Sequence, residues 1–158
     1  MKRTAGFSMV ELLVAVAIAG VLLGVGVVVF RPGHNAVNQA ARVLAGAVTE
    51  ARFEAVKSNR TAYFVVSTSG DGGYGICVDE NEDGSCTSSE YKKQVEFGTG
   101  DFARATLSAT NLTGNRVRFD SRGVPLDAVA GKTMTVTERG GTYAKTVVLS
   151  STGRTEVR

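Results

Sequence analysis

The chain has 158 residues, with 18 Lys or Arg against 15 Asp or Glu and a formal charge of +3; it holds one histidine, two cysteines and no tryptophan. So mild a charge gives no global electrostatic case for nucleic acid, and the length limits the chain to one small domain beyond any N-terminal segment. No G-x-S-x-G, P-loop or H-E-x-x-H pattern is present, and the lone His34 stands beside Pro32-Gly33, a poor place for a general base, so the chain is expected not to be an enzyme.

Taken from the N-terminus, Lys2 and Arg3 precede a long apolar run, and residues 12–30 carry no formal charge. As a helix rising ~1.5 Å per residue this run spans roughly 28 Å, close to the hydrocarbon thickness of a bilayer. The pattern predicts a single-pass transmembrane helix over 7–31, with the basic pair holding the N-terminus in the cytoplasm. Glu11 at the head of that run is costly in lipid and asks for a partner. A secretory signal with an A-x-A site at Ala15-Val16-Ala17 and a plain signal anchor are the competing readings. Pro32-Gly33 interrupts the helix.

From residue 36 to 58 the pattern is that of an amphipathic helix. Val37, Ala40, Ala41, Leu44, Ala47, Val48, Ala51, Ala55 and Val56 recur at three- and four-residue spacing. The face is rich in alanine and can lie close against a sheet. Beyond Asn59 the period changes to two, and residues 61–68, 74–79, 91–97, 116–120, 133–138, 143–150 and 155–158 read as strands. Gly140-Gly141 makes a hairpin turn between two of them. The fold expected is α+β, a long N-terminal hydrophobic helix on an antiparallel β-sheet spanning 61–158.

Gly6-Phe7-Ser8-Met9-Val10-Glu11-Leu12-Leu13 resembles the leader junction of type IV pilins and type II secretion pseudopilins. The resemblance implies a leader peptide over 1–6, a cut by prepilin peptidase between Gly6 and Phe7, and N-methylation of Phe7. Residues 7–31 would then form a transmembrane and filament-core helix, and 32–158 a periplasmic domain of pilin-like fold. Glu11 would sit one helical turn from the new amine. A carboxylate and a cationic amine in apolar surroundings each relieve the other's desolvation cost, and the family uses the neighbouring subunit's amine to set assembly register.

Within that superfamily three further segments are similar to the GspH/FimT branch. They are Ala51-Arg52-Phe53-Glu54-Ala55 at a helix end, Phe119-Asp120-Ser121-Arg122-Gly123-Val124-Pro125 at a turn, and Gly153-Arg154 after a final strand. The branch implies two functions. One is a GspH-like minor pseudopilin at or near the tip of a type II secretion pseudopilus, acting in protein export. The alternative is a FimT-like minor pilin of a type IV pilus that binds DNA for natural transformation. The DNA-binding tail of that group reads Gly-Arg-x-Arg, and here Glu156 replaces the second arginine, leaving Arg154 and Arg158 as candidate phosphate contacts, with Arg116, Arg118, Arg122 and Arg139 as company. Expected partners are other pilins or pseudopilins, prepilin peptidase, an inner-membrane assembly platform, the membrane itself, and a secreted protein or DNA.

Two features lie between the second and third strands. Residues 79–90 fit the loop pattern D-x-[DN]-x-[DN]-G-x5-E, with Asp79, Asn81, Asp83, Ser85 and Glu90 as candidate calcium ligands. Strands flank that loop where an EF-hand has helices, so a plain acidic hairpin turn is the competing reading, and a membrane-anchored calcium module is a third functional class. Cys77 and Cys86, an even pair in a region expected to be exported, predict a disulfide around the turn. The expected location is the inner membrane, single-pass, with the C-terminal domain in the periplasm and incorporation into a pilus or pseudopilus.

Overall fold

The computed structural model describes the backbone of residues 8–29 and 32–158, with side chains for residues 8–23 and 33–158. The chain separates into two units, Met1–Pro32 and Gly33–Arg158. In the first, helix α1 (Met9–Val29) opens with the Leu12 amide donating to Ser8 O at 3.1 Å. Its described side chains are exposed all round, and Glu11 is the one that carries a charge.

The expected single-pass transmembrane helix, and with it the inner-membrane location, is overturned here. Among the described residues no helix is long and apolar enough to cross a membrane. Helix α1 carries a carboxylate, Glu11, in its first turn.

The second unit is built on helix α2 (Pro32–Ser58). Pro32 begins it, because a first-turn residue needs no amide partner and proline's fixed φ suits the position. Val37, Ala40, Ala41, Leu44, Val48, Ala51 and Ala55 are fully buried along one stripe. Val56, expected in that stripe, is 49% exposed; it lies one residue past Ala55, rotated out of the seam. The helix stops at Asn59, which takes a left-handed φ of 53°. Arg60 N donates to Ala55 O and Asn59 N to Val56 O, satisfying the terminal carbonyls.

Eight strands follow: β1 (Ala62–Ser67), β2 (Gly73–Val78), β3 (Tyr91–Glu96), β4 (Ala105–Thr110), β5 (Arg116–Phe119), β6 (Thr133–Glu138), β7 (Ala144–Leu149) and β8 (Thr155–Val157). They form two antiparallel four-stranded sheets, ordered β3-β2-β1-β5 and β4-β6-β7-β8. Phe64, Ile76, Val117 and Phe119 from the first sheet and Leu107, Met134, Val136, Val147 and Leu149 from the second join the α2 stripe in one core. The architecture is the expected α+β arrangement of helix on antiparallel sheet.

Strand β4 had no clear signal, since Leu107 is its one large apolar residue among Ala, Thr and Ser. Tertiary pairing supplies what the sequence lacks. Leu107 N donates to Asp71 O at 2.9 Å, and Gly98 N to Ala105 O at 3.1 Å, joining β4 to the turn and strand end of the first sheet.

Candidate functional site

At the head of α1, Glu11 lies in the first turn, where the helix dipole favours an anion. It is the one charge among ten large apolar side chains between residues 9 and 23 that are 52–81% exposed. Gly6 and Phe7, the expected cleavage and methylation pair, lie outside the described residues.

The acidic hairpin is a self-satisfied loop. Asp79 is 3% exposed and Glu90 5%. Asp79 Oδ1 accepts from the Asp83 amide at 3.1 Å and its Oδ2 from the Gly84 amide at 2.9 Å. Glu90 Oε1 accepts from the amides of Glu80 and Asn81, and its Oε2 from the amide and hydroxyl of Thr87, both at 2.8 Å. The Thr87 hydrogen bonds hold the Glu90 carboxyl below the ordinary glutamate range, and the Ser85 hydroxyl and amide do the same for Asp83. Gly84 turns the chain at a φ of +80°, which favours glycine. Cys77 and Cys86 are joined by a disulfide with Cα atoms 6.2 Å apart.

These carboxylates are therefore engaged with the loop's own amides, where a calcium loop turns its oxygens on a cation. Among the described residues no group of three or more His, Cys, Asp or Glu could hold a metal ion. Asn81 and Ser85, the other expected ligands, hydrogen-bond Asp83. The melting temperature is expected to be the same in calcium and in chelator, measured by circular dichroism; a calcium-dependent rise would show the loop reorganising around the ion.

The three segments that were separate in sequence meet in space. Val56 Cγ2 and Arg52 Cγ each lie 3.0 Å from where a Cβ on Gly123 would stand. Phe119 Cε1 and Pro125 Cγ lie 3.0 Å from the corresponding point on Gly153, and Phe119 also bridges Pro125. Both glycines have left-handed φ values, +73° and +76°. Asp120 ties the turn: its Oδ1 accepts from the Arg122 and Val124 amides and its Oδ2 from the Arg122 guanidinium. The Val124 amide, ahead of the Arg122 side chain, holds the Asp120 carboxyl below its usual range. Spacing in the sequence marks these residues, but nothing in it shows that they share one corner.

The arginines named as phosphate contacts are mostly committed. Arg158 pairs with Glu156 at 3.0 Å, Arg118 grips Asp127 at 2.7 Å, Arg122 pairs with Asp120 at 2.9 Å and Arg139 with Asp71 at 3.2 Å. Arg116 lies 5.7 Å over the Tyr63 ring. Arg154 is exposed and forms no ion pair among the described residues. His34 stacks on Tyr143 with ring centroids 4.0 Å apart, and the Tyr143 hydroxyl donates to Asn38 Oδ1 at 3.0 Å. That contact fixes the start of α2 to the β6–β7 hairpin and has no sequence signal beyond the turn glycines.

Residues 40–153 match the family described as type II transport protein GspH. The chain belongs to the GspH family. Residues 1–27 of this GspH-family chain also match the prokaryotic N-terminal methylation motif. It is 38% identical over 151 residues to the pilin-like protein PilA1 of Thermus thermophilus, across 94% of this chain and 95% of that protein. Its fold is similar to the type IV minor pilin FimU of Pseudomonas aeruginosa in two crystal forms. One gives a TM-score of 0.60 over 78% of this chain and 89% of FimU, the other 0.55 over 77% and 91%, both at 20% identity. The GspH chain is thus a member of the type IV pilin and pseudopilin superfamily, whose proteins are structural and not catalytic.

Proposed function

We propose that this GspH-family chain is a minor pseudopilin at or near the tip of a type II secretion pseudopilus, cut after Gly6, methylated at Phe7 and incorporated through Glu11. The observation that carries the reading is Glu11 in the first turn of an exposed, otherwise apolar helix, inside a segment matching the methylation motif. An acid so placed is suited to meet a neighbour's N-terminal amine, and removal of either charge leaves the other unpaired among apolar groups. The partners are other pilins or pseudopilins, the prepilin peptidase and an assembly apparatus.

The family description supports secretion. The state of the tail supports it over DNA uptake, since Glu156 neutralises Arg158 and most other arginines are already paired. Mass spectrometry of the chain from its native cell tests the processing step. The expected mature N-terminus is methylated Phe7; an intact Met1, or a cut at any other bond, contradicts the reading.

A further inference from the structure

We infer that the outer face of the first sheet carries a saccharide-binding site beside Tyr91. The inference concerns the Gly33–Arg158 unit alone and stands apart from the filament reading. Strand register places Val65, Gly75 and Gln94 in one row across β1, β2 and β3, and Ser67, Gly73 and Glu96 in the next. The residues that alternate with them, Phe64, Val66, Tyr74, Ile76 and Val95, pack into the core, so both rows face away from it. Glycine stands in the middle of each row. The central strand therefore offers bare backbone as a floor between side chains of β1 and β3, a pattern that marks the close approach of another group.

Tyr91 uses one end of this floor. Its Cε1 and Cδ1 atoms lie 2.5 and 2.8 Å from where a Cβ on Gly75 would stand, so the ring crosses the strand because position 75 has no side chain. The ring is only half-buried. Beside it the face forms a cavity of about 450 Å³ that also takes in Asp71 and Thr99. That volume falls within the range of about 300–1,000 Å³ common to small-molecule sites.

The lining selects the ligand. Among the described residues it holds no Lys, Arg or His, so it has no cation to receive a phosphate or carboxylate. Its two carboxylates differ. Asp71 is paired with Arg139 and accepts from the Thr106 hydroxyl. Glu96 is exposed, like the Gln94 amide beside it, and neither side chain has a hydrogen-bond or ion-pair partner among the described residues. Together they accept from and donate to ligand hydroxyls. The Tyr91 ring and Val65 supply the apolar contact that suits the C–H face of a sugar. An apolar ligand would bury Glu96 without a partner, whereas a neutral polyhydroxylated ring satisfies carboxylate, amide and aromatic ring at once.

Titration calorimetry on the full chain tests this with tri-N-acetylchitotriose, maltotriose and cellotriose, which separate an acetamido sugar from plain glucans. At least one is expected to bind with a Kd of about 1 mM or tighter. Tyr91→Ala is expected to weaken that binding by about tenfold or more, through loss of the ring contact. Glu96→Gln, a change at an exposed side chain, is expected to keep the wild-type melting temperature and to weaken binding by about fivefold. Absence of binding to all three sugars overturns the assignment, as does binding that the folded Glu96→Gln variant leaves unchanged. Binding of trilysine with none of the sugars overturns it too, and would make the face a site for basic peptides.

Discussion

Replacing Phe119 with alanine is expected to cost the domain about 3–5 kcal/mol, measured by denaturant unfolding with an unchanged slope. The ring is fully buried, lies against the closest approach of Gly153 and bridges Pro125, while its strand pairs with β1 through Ala62. Its removal leaves a cavity where the end of β5, the Gly123 turn and the turn before β8 meet. Those elements are fixed by backbone hydrogen bonds, so collapse into the space is limited. Phe119→Leu keeps most of the volume and is expected to cost about 1 kcal/mol. A Phe119→Ala cost near that of leucine would mean the corner repacks freely.

Breaking the disulfide is the second large effect. Cys77 and Cys86 close a short ring around the acidic hairpin, and the Cys77→Ser/Cys86→Ser pair is expected to lose about 2–3 kcal/mol. In a domain of this size that is roughly a 10 °C fall in melting temperature. The amide cages of Asp79 and Glu90 hold the same loop independently, so the reduced protein is expected to stay folded at ambient temperature. Adding Asp79→Ala to the serine pair strips the acceptors from two amides and should cost about another 2 kcal/mol. Calorimetry with and without reductant reads both steps. A melting temperature unmoved by reductant would show that the hydrogen bonds alone define the hairpin.

Much of the architecture was legible because alternation and helical spacing are local. The α2 stripe from Val37 to Ala55 and the strands around Phe64, Ile76 and Val136 follow from periodicity. Strand β4 was not legible, because alanine, serine and threonine give little apolar contrast and its place is set by Asp71 and by pairing with β6, both far away in sequence. The acidic hairpin shows the limit differently. Its oxygen spacing fits a cation loop, and only the geometry reveals that the same carboxylates serve backbone amides. The membrane expectation rested on reading the uncharged run over residues 12–30 as one helix of bilayer length; among the described residues no helix is long and apolar enough to cross a membrane. Gly123 and Gly153 stood in plain turn patterns, while their shared service to one corner is a tertiary fact.

Glu11→Ala in the native cell is the most direct measurement of assembly through a stem carboxylate. Recovery in sheared filaments is expected to fall by about tenfold or more, with cleavage and domain stability unchanged, because one partner of an apolar-embedded pair is lost. Glu11→Ala recovered in filaments at the wild-type level would contradict the account.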